Sequence, residues 1–340
     1  MKILFIINAL PDYKEMFIRE LSKHHEITVI AKLNNGFKND FERLGYKYIE
    51  IKCYSMLGLK VQPKLFYYIF LKKWGKIICS WNIRHFDRFL YFLLYIARNK
   101  KWIWWGHILG RSDFKYSSLF RKIFIPMAKS TLIYSDFFKQ QLLKEYNYKN
   151  IHSFNNSELS LKEVRKSKWN DDLTLNILFV GRYNERKKLE FFVELAKHNE
   201  TFEILLIGPG MLDNFKSITL PNFRVLDKIE NNKLDRYFNW AHLVVNPGLL
   251  GLIILNAARY GKPILINDIA GHGPEISLAY ESNQLFYDFS DLDKISSYLN
   301  DFKKNKKILH NKGRALQEIA IKNYNIENMV NVHLNSIKLD

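Results

Sequence analysis

Short apolar runs alternate along this chain with stretches in which apolar residues recur every three or four positions, the pattern of strands and helices in βα units. In a first series, Ile3–Ile7, Ile27–Ala31, Lys76–Trp81, Trp102–Trp105 and Leu132–Tyr134 read as strands, and Tyr13–Lys23 and Asp87–Arg98 as helices. A second series restarts at Leu175–Val180 and runs through strands at Glu203–Ile207, Arg224–Leu226, Leu243–Asn246 and Ile264–Ile266, with helices between. Between the series, Asn155-Asn156-Ser157 and the charged, aperiodic stretch Glu158–Asp172 read as an interdomain linker, and Asn325–Leu339 reads as a last helix. The pattern predicts an α/β protein with two parallel-sheet domains, residues 1–160 and 161–324, and a C-terminal helix, 325–340. Open sheets of this kind bind ligands outside the carboxyl ends of their strands, so chemistry is expected in the loops that follow strands.

Length and composition agree with that architecture. The 340 residues are enough for two domains, and 47% hydrophobic with 25% charged is an ordinary globular balance that excludes disorder, collagen and a disulfide scaffold. Lys plus Arg number 52 against 34 Asp plus Glu, a net charge of +18 that calls for an anionic partner. Two cysteines, Cys53 and Cys79, cannot build a disulfide framework or a cysteine-based zinc site, which favours a reducing cytosol. The apolar start Ile3–Ile7 is too short for a signal sequence. Leu65–Leu71 and Phe89–Ala97 are bounded by Lys and Arg and too short to span a bilayer.

Two post-strand segments carry candidate chemistry. In Val180-Gly181-Arg182-Tyr183-Asn184-Glu185-Arg186-Lys187, glycine permits a sharp turn, and Arg182 and Lys187 can converge on one dianionic group. The plainer alternative is a basic surface turn. In the second, a strand ends at Asn246-Pro247-Gly248, Gly251-Leu252 opens a small-residue helix, and Gly261-Lys262-Pro263 stops it. Such a helix start can present N–H groups to a diphosphate. Here the alternative is an ordinary βαβ unit.

With these residues in view, the chain resembles the GT-B glycosyltransferases, and within them glycosyltransferase family 4, also called group 1. Gly181-Arg182 … Lys187 is similar to the family's diphosphate-binding G-R-x4-K, and Leu206-Ile207-Gly208-Pro209-Gly210 to its nucleotide-side glycine turn. Gly251–Pro263 resembles the signature G-L-x-x-x-E-A-M-A-x-G-x-P, and Asp268–Glu275 resembles D-x-G-G-x-x-E. In the first domain, Pro11, Tyr13 and Lys14 resemble a P-x-Y-R segment of enzymes that build bacterial surface polysaccharides, with Lys14 where arginine is usual. Trp104-Trp105-Gly106-His107 is similar to the W-G-H of the same group. The family carries two glutamates, the first contacting the donor sugar and the second the nucleotide ribose; here those positions are Gly248 and Asn256.

The resemblance implies the GT-B fold, two Rossmann-like domains facing across a cleft, with the C-terminal helix packing back toward the first. It implies transfer of a sugar from a nucleoside-diphosphate sugar to a hydroxyl of a glycan or lipid-diphosphate-linked acceptor, in O-antigen (lipopolysaccharide) or capsule assembly. Charge develops on the β-phosphate as the anomeric C–O bond breaks, and Arg182, Lys187 and the N–H groups near Leu252 are expected to meet it. These cations are expected to replace a divalent metal, and the donor is a substrate, so no cofactor is expected. Gly181, Gly208, Gly251, Leu252, Asn256 and Glu275 are the expected donor-binding residues; a helix cap is an equal alternative for Glu275. Pro11, Tyr13 and Lys14 are expected on the acceptor side. His107 is a sugar or leaving-group contact if configuration is retained, the favoured course, and the base if it is inverted.

Lys60, Lys64, Lys72, Lys73 and Lys76 flank the aromatic run of the first domain, which suits an anionic membrane surface and a cytoplasmic protein peripheral to the inner face of the membrane. A buried helix with solvated lysines at its ends is an equal reading of that run. Two other functions compete: a catalytically silent GT-B partner subunit, which the missing glutamates would permit, and a basic nucleic-acid-binding protein. Against the latter, no zinc-knuckle, helix-turn-helix or RNP-type motif is present, and nucleic acid is not an expected partner.

Overall fold

The computed structural model describes residues 1–32, 45–109, 117–146, 148, 150–169, 173–230 and 233–338. Asn170, Asp171 and Asp172 of the expected linker and Leu339 of the expected last helix lie outside the described residues. Two units are present, Met1–Glu158 with Ile326–Asp340, and Leu159–Asn325.

The first unit contains β1 (Lys2–Ala9), β2 (Glu26–Lys32), β3 (Lys47–Glu50), a hairpin of β4 (Tyr54–Met56) and β5 (Leu59–Val61), then β6 (Lys76–Ser80), β7 (Trp102–Gly106), β8 (Ser130–Ile133) and β9 (Ile151–Ser153). Apart from the hairpin they form a parallel sheet in the order β3-β2-β1-β6-β7-β8-β9. Side chains of a strand alternate between faces, and β1 shows both cores at once. Ile3, Phe5 and Ile7 face Phe17 and Leu21 of the Asp12–Ser22 helix and Met329 and Val330 of the last helix, Ile326–Lys338. Leu4 and Ile6 face Leu65 and Ile69 of the Lys64–Phe70 helix and Phe89 and Phe92 of the Phe86–Ile96 helix.

His333 holds the last helix in place. Fully buried, it accepts the Trp105 indole N–H at Nε2 (2.9 Å) and donates from Nδ1 to the Met329 carbonyl (2.7 Å). Burial pushes its pKa down to about 3, so it is neutral in this setting. Lys76 does not belong to the basic fringe of the aromatic run. It begins β6, is buried, and donates from Nζ to the Ile337 carbonyl.

The second unit is a parallel sheet in the order β12-β11-β10-β13-β14-β15, built from β10 (Leu175–Val180), β11 (Phe202–Ile207), β12 (Phe223–Leu226), β13 (Leu243–Asn246), β14 (Ile264–Asn267) and β15 (Leu285–Tyr287). One continuous core fills it, with the Glu190–His198, Ile253–Arg259 and Lys306–Asn323 helices against the strands. The polar stretch read as a linker is not detached. Leu159 is buried in this core, Arg165 N–H donates to the Arg259 carbonyl (2.9 Å), and the Ser167 hydroxyl to that of Gly261 (3.2 Å).

In each sheet the order reverses once, between β1 and β6 and between β10 and β13. These reversals open the crevices where doubly wound sheets bind ligands. Among the described residues, no helix is long and apolar enough to cross a membrane.

Candidate active site

In the second unit the motif loops fall at the reversal. Val180 ends β10 and leads into Gly181-Arg182; Asn246 ends the neighbouring β13 and leads into Gly248–Leu252. The β10 and β11 turns touch through two glycines. Gly208 sits at φ +147°, and a Cβ there would lie 2.0 Å from the Gly181 carbonyl oxygen, so only glycine fits. Arg182 is exposed on the same turn.

Lys187 lies in a one-turn 3-10 helix, Glu185–Lys187, ahead of the Glu190–His198 helix rather than on it. Asn184 caps that turn by accepting the Arg186 N–H (3.0 Å). From there the Lys187 ammonium reaches across to the second loop, donates to the Leu249 carbonyl (2.5 Å), and stands 3.6 Å from where a Gly251 Cβ would be. Lys187, Gly251 and the Leu252–Ile253 helix start therefore converge. The helix they open, Ile253–Arg259, has only seven residues, so more of the positive charge at this point comes from the lysine than from a helix dipole.

Gly248 explains its own presence. A Cβ at this position would fall 2.2 Å from the Arg186 carbonyl oxygen and 2.6 Å from the Lys187 carbonyl carbon. The same approach allows Leu249 N–H to donate to the Arg186 carbonyl (2.8 Å). A glutamate at 248 would require the Arg186–Lys187 backbone to move. Asn256 lies one turn into the helix and accepts from Arg259 (3.2 Å), whose other nitrogen pairs with Glu163 (3.0 Å). Glu275 occupies the N-cap position of the Ile276–Glu281 helix but makes no side-chain cap hydrogen bond.

Three side chains that sequence reasoning left without a role hold the Gly248 loop in place. Asn246 donates to the Gly248 carbonyl (2.6 Å) and Asn267 to the Pro247 carbonyl (2.7 Å). His272 accepts the Leu250 N–H at Nδ1 (3.3 Å), which leaves Nε2 to donate to the Asn267 carbonyl (3.0 Å). Burial, and to a lesser extent the nearby Lys187 charge, lower the His272 pKa and keep it neutral. The signal for the two asparagines was their place at strand ends, where a side-chain amide can serve a loop carbonyl.

In the first unit, Pro11 precedes the Asp12–Ser22 helix after β1, and His107 follows β7. Lys14 is buried rather than presented to solvent. Its Nζ lies 4.0 Å from the Trp105 ring centre and 4.7 Å from that of Tyr134, to whose hydroxyl it donates, and 5.7 Å from Tyr13. The His107 ring is 6.3 Å from the same Tyr134 and 5.2 Å from Phe138. Tyr134 thus links Lys14 of the expected acceptor-side segment with His107. His107 also lines a cavity of about 260 Å³ together with Lys60, Arg84, Arg121, Trp81 and Asn82.

At the β1–β6 reversal lies a buried arginine that the sequence disguised as one charge in an apolar helix. Arg88 donates to the Asn8 side-chain oxygen (2.8 Å), to the Ser80 hydroxyl (2.7 Å) and to the Gln62 side-chain amide oxygen Oε1 (2.9 Å). The adjacent Asp87 accepts the Gln62 N–H (2.6 Å). Arg88 and Asp87 together tie Asn8 and Ser80 of the reversal to Gln62.

Comparison with known proteins places these loops. Residues 174–300, which contain the Arg182–Lys187 and Gly248–Glu275 loops, match the family described as Glycosyl transferases group 1. Solved structures align over nearly the whole chain: a glycosyltransferase from Rickettsia africae at TM-score 0.74 and 14% identity, covering 99% of this chain and 97% of that one, and HepE from Anabaena in complex with UDP-glucose at TM-score 0.69 and 14% identity, covering 99% and 100%. The chain has the GT-B glycosyltransferase fold. A protein of Klebsiella pneumoniae described as an uncharacterized 41.2 kDa protein in the cps region is 25% identical over 181 residues, 52% of this chain. The match spans about half that relative's length, 48%. In this GT-B chain, the family match falls on the second sheet, at whose reversal Lys187 and Gly251 meet.

Proposed function

We propose that this protein transfers a hexose from a nucleoside-diphosphate sugar to a hydroxyl of a glycan or lipid-diphosphate-linked acceptor in the assembly of a bacterial surface polysaccharide, capsule in the first instance. The observation that carries the reading is the Lys187 ammonium seated against the Leu249–Gly251 loop at the strand-order reversal, with Arg182 on the turn beside it. A diphosphate laid there meets two cations and backbone N–H groups already in place, without a divalent metal. As the anomeric C–O bond breaks, its electrons pass to the β-phosphate oxygen, where those groups stabilise them. The acceptor oxygen bonds to the anomeric carbon and its proton leaves on the departing diphosphate, a course that retains configuration. Asn256 serves the ribose and Glu275 the sugar, while Gly181, Gly208 and Gly251 let the backbone approach the nucleotide.

His107 contacts the sugar or the leaving group, and Pro11, Tyr13 and Lys14 serve the acceptor side, Lys14 donating to the Tyr134 hydroxyl beside His107. The cavity that His107 shares with Arg84, Arg121 and Lys60 favours an anionic acceptor. HepE was solved with UDP-glucose, which makes a uridine donor the first to test, and the relative in a cps region favours capsule.

The test is release of nucleoside diphosphate from a panel of nucleotide sugars, with lipid-diphosphate-linked acceptor, by wild type and Lys187→Ala. Loss of one preorganised cation should lower kcat by about 10²- to 10³-fold. Because Gly248 leaves no carboxylate at the family's sugar-contacting position, one other reading has an observation behind it, a silent partner subunit. Wild type that binds nucleotide and consumes no donor establishes that reading instead.

A further inference from the structure

Three helices of the first unit lie side by side on one face of its sheet. Phe66 of the Lys64–Phe70 helix meets Tyr91 of the Phe86–Ile96 helix at 5.9 Å between ring centres, and Phe89 of the latter meets Phe120 of the Ser117–Phe124 helix at 5.1 Å. Their inner sides are core. Their outer sides carry large apolar residues where a solvated helix would carry polar ones. Leu90 and Leu94 are 48% and 44% exposed, Leu119 and Ile123 50% and 46%, and Leu71, just past the first helix, 69%. Leu57, in the turn of the β4–β5 hairpin beside this layer, is 95% exposed. Scattered exposed leucines need no explanation, but several on adjoining helices do.

The charges around them have one sign. Between Ile51 and Ser112 the sequence holds one acidic residue, Asp87, and it is buried against Gln62. Lys64, Lys72, Lys73, Arg84, Arg98 and Lys100 are all exposed. Lys72, Lys73, Arg98 and Lys100 line a cavity of about 390 Å³ with Trp74 and Tyr95, an apolar floor under a cationic rim. The half-buried Trp74 beside exposed lysines suits the headgroup region of a bilayer.

We propose that this three-helix face docks on an anionic lipid bilayer, its leucines entering the acyl boundary and its lysines and arginines meeting lipid phosphates. The charge pattern selects that occupant. A second copy of the same face would set like charges against each other, and a nucleic-acid backbone offers nothing to exposed aliphatic side chains. The inference goes beyond the transfer reaction and does not need it. A protein that binds vesicles and turns over no donor leaves it standing.

The experiment is co-sedimentation of the whole protein with phosphatidylcholine vesicles and with vesicles in which about 30% of the lipid is phosphatidylglycerol, at low and physiological salt. Wild type should pellet with the anionic vesicles and stay in solution with the neutral ones. Leu90→Glu/Leu94→Glu and Lys72→Glu/Lys73→Glu should each weaken binding by at least about tenfold. All four residues are exposed, and an unchanged melting temperature shows that the variants are folded. The proposal fails if wild type remains in the supernatant with anionic vesicles at low salt. It fails also if the leucine pair has no effect, or if heparin and duplex DNA compete fully and the lysine pair alone matters, since the face would then be a general polyanion site.

Discussion

Lys262 shows how a residue can be legible in type and illegible in setting. Gly261-Lys262-Pro263 reads only as the stop of a helix, yet the lysine in it is fully buried, donates to the Lys168 carbonyl (2.5 Å) and stands 4.3 Å from the Trp169 ring. Burial lowers its pKa to about 7 from 10.5. Between those values the unfolded chain holds a proton that the folded chain does not, so stability rises with pH across that window. Below about 7 both forms are charged and the cost of the buried ammonium is fully present. Unfolding free energy should therefore climb from about pH 7.5 to about pH 9, by up to about 1.4 kcal/mol per unit for this group. Lys262→Met should flatten that slope, and urea titrations at several pH values would show it. An unchanged slope would mean the lysine keeps its charge when folded. Arg182 and Lys187, by contrast, lie on the post-strand turn where the sequence puts them, Arg182 exposed and Lys187 reaching the Leu249 carbonyl.

At the scale of elements, the long apolar runs gave up their strands readily: β1, β2, β6, β7, β8 and β10 to β14 all lie where the pattern places them to within a residue or two. Missed were β3, β9, β15 and the β4–β5 hairpin. All of these sit at sheet edges or outside the two large sheets and run to three or four residues, too short for a period to show. The loops carry a subtler kind of information. Gly248 looked like a lost side chain, and only the backbone of Arg186–Lys187 lying against it shows that the space is filled. Asn246, Asn267 and His272 act on loop backbone through single hydrogen bonds, a role that spacing alone does not reveal. If the two loops depend on that approach, Gly248→Ala should cost about 2 to 3 kcal/mol of stability or displace Lys187 and abolish nucleotide binding. A folded Gly248→Ala protein with unchanged nucleotide affinity and melting temperature would contradict the arrangement.

The whole molecule joins two parallel sheets of the same winding, each reversing its strand order once, and cations stand near both reversals. In the second unit that charge is Arg182 and Lys187; in the first it is Arg84, Arg121 and Lys60 around His107, with Arg88 buried beneath. Whether the Arg182–Lys187 loop binds a nucleoside diphosphate is decided by thermal unfolding of wild type and an Arg182→Ala/Lys187→Ala variant with millimolar UDP, GDP, TDP or CMP at moderate salt. A ligand at about 100 times its Kd adds about 2.7 kcal/mol, a clear shift of the midpoint. One nucleoside diphosphate, UDP first, should raise the wild-type midpoint and leave the variant's unmoved. Equal shifts in both proteins, or none in either, would contradict it.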